Sequence, residues 1–215
     1  MTPFIPSLFL AVVATSVTVH ATAADVTSNT IGKAELVRQH IAVSGELVAA
    51  MHVQDTNGAH MLVLSSLSGP SHERANSVRI ERIDLRVSYY RHAGTAWTEE
   101  WNIKDGVDCP GLDAEAAFFT KHVTVTDLNE DGIAEVTVPY KMFCGGGVDS
   151  DTIKLIMRQG KEKYALRGES LVRLPGQEDF GGTYKTDPAL ALPRNAAYQK
   201  HLVALWKQVY IRPYP

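Results

Sequence analysis

Oxygen-bearing side chains alternate around a glycine between residues 127 and 135, where the sequence is DLNEDGIAE. Ca²⁺ is a hard cation that takes several oxygen ligands, and short loops with this alternation hold it. The pattern therefore predicts a calcium site. The predicted ligands are the side chains of Asp127, Asn129, Asp131 and Glu135 and a backbone carbonyl near Ile133.

The flanks of this loop indicate strands rather than the paired helices of an EF-hand. Val138 stands at the twelfth loop position, where an EF-hand has a bidentate glutamate. Residues 123–126 (VTVT) and 136–138 (VTV) are β-branched runs that favour strands. The loop resembles the calcium loops of integrin-type propeller repeats, but a single copy argues against a propeller.

The alternative to a metal is a set of Asx turns, with Gly132 supplying a positive φ. The metal hypothesis is favoured because the acidic side chains would repel each other in an empty turn. Extracellular calcium modules bind at about 0.1 to 1 mM, so the expected role of the ion is to make the loop rigid.

The N-terminus carries an uncharged apolar segment, beginning at residues 6–14 (PSLFLAVVA) and leading to Ala21-Thr22-Ala23. This pattern predicts a secretory signal peptide over residues 1–23, although the segment has no preceding Lys or Arg. The alternative, a membrane anchor, is less favoured because the apolar run is short and is interrupted by polar residues. The mature protein is therefore expected to be periplasmic or secreted, with no membrane span after processing.

The chain has two cysteines, Cys109 and Cys144. Export to an oxidising compartment favours a disulfide between them, and neither lies in a CxxC pair that would favour a reactive or metal-binding thiol. The bridge would close a sequence loop that contains the calcium motif. We therefore expect the cross-link and the calcium ion to constrain the same region.

Composition supports one strand-rich globular domain over residues 24–215. The 215 residues are 45% hydrophobic, and 21 Lys and Arg face 24 Asp and Glu, so the chain is close to neutral. This balance argues against nucleic acid as a partner and against a basic membrane-binding helix. The segment from Ser65 to Ser77, with Gly69-Pro70, is the best candidate for a mobile surface loop.

Alternating strand patterns separated by turn signals dominate the chain and predict neighbouring antiparallel strands, a mainly β (α+β) fold. Apolar residues at helical spacing between Tyr198 and Val209 predict a C-terminal helix packed on the sheet. The predicted hairpins pair 46–52 with 60–66 around Asp55-Thr56-Asn57-Gly58, 83–90 with 97–103, and 153–157 with 164–166.

Catalytic motifs are mostly absent, so a non-enzyme is favoured and no catalytic residue is assigned. There is no HExxH, no GxSxG and no phosphate-binding glycine loop followed by Lys. His52 and His60 could meet across the first hairpin as a metal pair, but this alternative is not favoured. Glu99 and Glu100 could serve a glycosidase, but adjacent strand residues point to opposite faces.

Four segments in the middle of the chain occur together in a specific order. They are WNIKDGVDCP (101–110), VTVTDLNEDGIAE (123–135), Tyr140-Lys141 with Cys144, and KLIMRQGKEKYALRG (154–168). In this combination the chain resembles a family of exported bacterial proteins catalogued as surface polysaccharide biosynthesis proteins. The match covers about residues 97–168, weakens through the C-terminal helix and excludes the N-terminal third. The resemblance implies a link to envelope polysaccharide but no catalytic residue.

The chain departs from that resemblance after the second cysteine. An acidic residue is expected there, but this sequence has Gly145-Gly146-Gly147 before Asp149 and Asp151. These aspartates could approach the calcium loop or could cap a turn, and the turn is favoured.

Two functions from different classes follow from these patterns. The first is an accessory protein of surface polysaccharide assembly or export that uses a calcium-stiffened face to bind an envelope glycan or a periplasmic protein. For glycan binding, the candidate exposed aromatics are Tyr89, Tyr90, Trp97 and Trp101. Core packing accounts for these aromatics equally well. The second is an inhibitor or immunity protein that binds a periplasmic cell-wall hydrolase through the loop at 65–77 or at 145–151. An enzyme that modifies glycans is a third class, in which residues without a local motif would form the site.

Overall fold

The computed structural model describes residues 25–212 of the chain. The described part contains two helices, α1 (Lys33–Arg38) and α2 (Ala196–Val209). Its strands are β1 (Thr27–Thr30), β2 (Glu46–Asp55), β3 (Gly58–Gly69), β4 (Arg82–Ala93), β5 (Ala96–Asp108), β6 (Asp113–Phe118), β7 (Thr124–Thr126), β8 (Glu135–Gly145), β9 (Thr152–Gln159), β10 (Glu162–Glu169), β11 (Leu171–Val172), β12 (Tyr184–Thr186) and β13 (Ile211–Arg212).

Two antiparallel sheets form the body of the fold. Sheet A has the strand order β1-β2-β3-β4-β5, and sheet B has the order β12-β10-β9-β8-β6, with the short β7 also paired to β8. Neighbouring strands in both sheets are antiparallel; the short pair of β11 and β13 is parallel. The predicted mainly β fold is confirmed.

Sheet B is the middle of three layers, and the side chains of β9 show why. Leu155 and Met157 belong to the apolar cluster that contains helix α2, whereas Ile156 belongs to a cluster with Leu85 of sheet A. Since successive side chains of a strand point to opposite faces, sheet A covers one face of sheet B and α2 covers the other. A strand buried on both faces has few polar positions, and buried residues run through 153 and 155–157.

Helix α2 is the predicted C-terminal helix. It follows a short 3₁₀ turn that begins at Pro193, and Leu202 and Trp206 on its buried side are almost fully covered. Its buried residues recur every three or four positions, as expected for a helix that buries one face.

The predicted hairpins are confirmed, with longer strands than the sequence indicated. Residues 56–57 connect β2 to β3, and Gly58, with φ of 109°, follows the turn in a conformation that favours glycine. The predicted mobile segment at 65–77 is partly wrong, because 65–69 continue β3 and Ser65 is buried between its neighbours. The connection between β3 and β4 spans residues 70–81.

The predicted signal peptide lies outside the described residues. Within the described range, no helix is long and apolar enough to cross a membrane.

Candidate functional site

The predicted calcium loop connects two strands that pair with each other. Thr126 at the end of β7 lies opposite Glu135 at the start of β8, so the intervening residues form a closed loop at one end of sheet B. The β-branched flanks form these strands, as expected. Two residues of the loop, Glu130 and Gly132, have positive φ values of 60° and 75°.

Backbone N–H groups inside the loop donate to its carboxylates. The two carboxylate oxygens of Asp127 accept from the N–H groups of Asp131 and Gly132 at 3.0 and 2.9 Å. The Asp131 carboxylate accepts from the Ile133 N–H at 2.8 Å. These hydrogen bonds are the ones expected for the alternative hypothesis of Asx turns, and they hold the backbone in a tight turn.

Gln159, at the end of β9, brings three of the predicted ligands to one point. Its Nε2 lies 3.1 and 3.0 Å from the two Asp131 carboxylate oxygens. The same nitrogen is 3.4 Å from the Ile133 carbonyl oxygen and 3.4 Å from Oε1 of Glu135. Gln159 is not among the predicted ligands, because it lies 24 positions after Glu135 and belongs to no local motif.

Glu135 closes the loop from a buried position. Its Oε2 accepts from the Leu128 N–H at 2.8 Å and from the Thr126 hydroxyl at 3.1 Å. Burial raises the pKa of this carboxyl, and the neighbouring Asp127 raises it further. The Tyr198 hydroxyl of α2 donates to Oε1 of Gln159 at 2.9 Å, which connects the loop to the helix.

The donor set suits a hard cation in its chemistry, since every predicted ligand atom is an oxygen. The oxygens that converge are those of Asp131, Ile133 and Glu135, whereas Asp127 is turned toward the loop backbone and Asn129 donates to Asp131 at 2.8 Å. Within residues 25–212, no group of three or more His, Cys, Asp and Glu side chains is arranged to hold a metal ion. The chemistry and the partial convergence support a calcium proposal.

The first hairpin contacts the predicted calcium loop through polar groups. Thr56 donates from its backbone N–H and from its hydroxyl to the Gly132 carbonyl, both at 2.9 Å. Asp55 accepts from the Ala134 N–H at 3.1 Å and lies 3.0 Å from Nε2 of His60. The loop is therefore held by sheet A as well as by sheet B.

The candidate aromatics Tyr89 and Trp101 belong to the core and do not form an exposed platform. Their rings stack at a centroid distance of 4.7 Å, with His60 stacked on Tyr89 at 5.0 Å. The guanidinium of Arg158 covers the Trp101 ring at 5.4 Å. Their exposed fractions are 4% and 5%, so the core-packing alternative is the one observed.

Tyr90 and Trp97 are partly buried and support helix α1. Both pack against the apolar cluster that contains Leu36 of that helix. The Trp97 Nε1 donates to Oε1 of Gln39, at the end of the helix, at 3.0 Å. These aromatics stabilise the N-terminal region, so no candidate aromatic forms an open binding surface.

The proposed histidine pair does not form. His60 lies opposite Val53 and His52 opposite Met61, so the two rings point to opposite faces of sheet A. Glu99 and Glu100 do not form a carboxylate pair either. Glu99 pairs with Arg86 at 2.8 Å, whereas Glu100 lies 3.7 Å from Nδ1 of His60.

The disulfide lies at the other end of β8 from the calcium loop. Cys109 and Cys144 are bonded, with Cα atoms 5.5 Å apart. Glu135 starts β8 and Cys144 is its next-to-last residue, which at about 3.3 Å per residue separates the two features by about 30 Å. The expectation that the disulfide and the predicted calcium site constrain one region is wrong. The loop lies between the two cysteines in the sequence, but the extended strand β8 places it far from them in space.

The connections that meet at the disulfide include both loops proposed for hydrolase binding. Arg79 of the 70–81 connection pairs with Asp113 at 3.1 Å. The carboxylate of the fully buried Glu81 accepts from Arg74 at 3.1 Å and from the Gly111 N–H at 3.0 Å. Exposed aliphatic side chains lie on these connections, at Val78, Ile80, Leu112 and Val148.

Asp149 and Asp151 belong to this end and do not approach the calcium loop. Asp151 is buried, and its carboxylate pairs with Arg212 at 2.8 Å and lies 3.8 Å from the Lys141 ammonium. The Asp149 carbonyl accepts from the same Arg212 at 2.9 Å. Burial raises the pKa of Asp151 despite these cations.

Comparison of the chain with known protein families, with curated proteins and with solved structures gives no match.

Proposed function

We propose that the mature protein is an exported, non-enzymatic calcium-binding protein of the cell envelope that assists surface polysaccharide biosynthesis. The observation that carries the calcium part is the convergence of oxygens from Asp131, Ile133 and Glu135 on one donor nitrogen of Gln159. The envelope part rests on the N-terminal pattern and on the family resemblance of residues 97–168.

The proposed role of calcium is to hold the loop against sheet A. The carboxyl groups of Asp131 and the buried Glu135 both approach the Gln159 nitrogen, and burial disfavours the charged form of Glu135. A bound divalent cation would balance these charges. Thr56 and Asp55 contact Gly132 and Ala134, so ordering of the loop would also order the tip of the first hairpin.

The experiment that tests this function is a surface polysaccharide profile of a strain deleted for the gene. Complementation would use the wild type, Asp131→Ala, and Glu178→Gln as a matched control. Glu178 is an exposed acid far along the chain from the loop. We expect the profile to be altered by the deletion and restored by the wild type and the control but not by Asp131→Ala. An unchanged profile in the deletion strain contradicts the proposal.

A second candidate function is inhibition of a cell-wall hydrolase by the disulfide end. The observation that favours it is the contact of the 70–81 connection with the turn at 109–112, where the Gly111 N–H donates to Glu81. The disulfide joins this turn to Cys144, just before the loop at 146–150, and Val78 and Val148 are exposed. An inhibitor inserts such loops into an active-site cleft. Inhibition of peptidoglycan hydrolysis that is lost in a Val78→Asp, Val148→Asp double variant would support this function over the first.

A further inference from the structure

A row of three cations crosses sheet B where sheet A does not cover it. Arg167 of β10 lies directly opposite Lys154 of β9 on one side and opposite Lys185 of β12 on the other. Directly opposite residues point to the same face, and neighbouring strands are about 4.8 Å apart, so the row spans about 10 Å. Like charges placed opposite each other destabilise a sheet unless other groups compensate them.

Two of the three cations are compensated by carboxylates from outside the row. The Lys154 ammonium is 2.6 Å from Oδ2 of Asp105 on β5 of sheet A, and Arg167 pairs with Asp187 just after β12. Burial opposes ionisation of Asp105, but hydrogen bonds from Lys154 and Tyr140 bring its pKa below the usual value. Lys154 is thus fixed at the border where sheet A ends.

Lys185 is the member of the row that lacks such compensation. It is exposed on the edge strand β12 and forms no ion pair with another residue in the described range. An ammonium group has three N–H donors and a guanidinium has five, so the row keeps donors that Asp105 and Asp187 do not occupy. Glu169 stands two positions beyond Arg167 and adds one carboxylate to the same region.

These side chains line a cleft of about 530 Å³. Three carboxylates, Glu169, Asp187 and the Asp105 that pairs with Lys154, accompany the three cations, and Lys185 is the cation that forms no ion pair within the described residues. The lining adds hydroxyl groups from Thr152, Thr183 and Thr186. Such a surface combines charge-assisted donors and hydroxyls with the exposed ring of Tyr184, so it suits a ligand that has oxygen acceptors and a negative charge as well as apolar faces. Arg167 can bind a carboxylate in bidentate geometry if the ligand displaces Asp187.

We propose that this cleft binds an acidic saccharide, with its carboxylate on the Lys154–Arg167–Lys185 row and its hydroxyls on the threonines. This inference rests on the proposed function, because it names the class of glycan that the envelope protein would bind. The site is separate from the calcium loop: Arg167 follows Lys163 on β10 toward the disulfide end, whereas Gln159 ends β9 at the calcium-loop end. Binding therefore requires no calcium.

The experiment is a titration of the ¹⁵N-labelled mature protein with an oligogalacturonate hexasaccharide, followed by NMR chemical shifts. Maltohexaose is the neutral saccharide and inorganic phosphate the simple anion. We expect shifts at Thr152, Arg167 and Lys185 with the oligogalacturonate, weaker binding of maltohexaose, and affinity that falls with added salt.

The variants are Lys185→Gln and Arg167→Gln, with Lys200→Gln as the matched control on the exposed side of α2. Lys185→Gln should weaken oligogalacturonate binding by about tenfold, because it removes a charge-assisted hydrogen bond without breaking an observed ion pair. Lys200→Gln should bind as the wild type does. The amide spectrum of each variant shows whether the fold is kept.

Three results would overturn the inference. They are no binding of oligogalacturonate by the wild type, equal binding of maltohexaose, and phosphate binding as tight as that of the saccharide. These results concern the cleft only. Failure of the proposed function is seen separately, in an unchanged polysaccharide profile of the deletion strain.

Discussion

The two ends of strand β8 are stabilised by different chemistry. At its first residue, the loop at 127–135 is held by hydrogen bonds that backbone N–H groups and the Gln159 side-chain amide donate to carboxylate oxygens. At its other end, a covalent bond joins Cys109 to Cys144, and the buried acids Glu81 and Asp151 are paired with arginines. The stability of the loop at the first end should therefore depend on cations and pH, whereas the stability of the second end should depend on the redox state of the cysteines.

The largest expected effect is at the disulfide end. Replacing both cysteines by alanine should lower the free energy of unfolding by about 3 to 4 kcal/mol, because the bridge closes a long loop in the unfolded chain. Urea denaturation of the protein measures this change. The calcium-induced rise in melting temperature should persist in the variant, since the ends are about 30 Å apart. Loss of that rise would show that the two ends are coupled.

Calcium should stabilise the other end by a smaller amount. At a calcium concentration ten times the dissociation constant, the free energy of unfolding should rise by about 1.4 kcal/mol. Asp131→Ala should abolish this rise without unfolding the protein, because Asp131 lies on the exposed side of the loop. Thermal denaturation with calcium and with EDTA gives the comparison. An equal rise in the variant would place the metal elsewhere.

The pH dependence of the calcium-loop end should follow the buried Glu135. Its pKa is raised in the folded state, so the folded protein binds the proton more tightly than the unfolded chain does. Without calcium, this group therefore contributes stability below its unfolded pKa and loses it as pH rises through the raised pKa.

The variant Glu135→Gln should remove that part of the pH dependence and the calcium response together. Denaturation curves in EDTA between acidic and neutral pH measure it, with Glu178→Gln as the exposed control. If the wild type and Glu135→Gln lose stability equally with rising pH, another group is responsible.

The smallest expected effect is at the exposed tips of the disulfide end. Val78→Ser and Val148→Ser should each change the free energy of unfolding by no more than about 0.5 kcal/mol, because exposed side chains make few contacts. A larger loss, measured by urea denaturation, would show that these valines pack in solution and are not available to a partner.

The strands flanking the calcium loop could be predicted because their signals are local. β-branched residues on both sides of a glycine turn favour two paired strands, and residues 124–126 and 135–138 form them. The hairpin at 55–58 and helix α2 were predictable for the same reason, since turn residues and helical spacing act over a few positions. Short edge elements such as β1 and β12 gave no comparable signal.

The burial of Tyr89 and Trp101 shows the limit of such patterns. An aromatic residue on an alternating strand can face solvent or core, and which face is covered depends on the opposite sheet. Here the guanidinium of Arg158 from sheet B covers the face of the Trp101 ring, and the Tyr89 ring stacks between Trp101 and His60. No spacing within β4 or β5 contains that information.

The sequence by itself determined the mainly β class, the oxygen-rich loop and the pairing of the only two cysteines, because each depends on local residue chemistry or on a count. Only the tertiary structure decided that the loop and the disulfide lie at opposite ends of β8, that Gln159 joins the loop, and that Lys154, Arg167 and Lys185 form one row. Strand register and sheet packing bring together residues far apart in the chain, and these long-range contacts leave no periodic signal in the sequence.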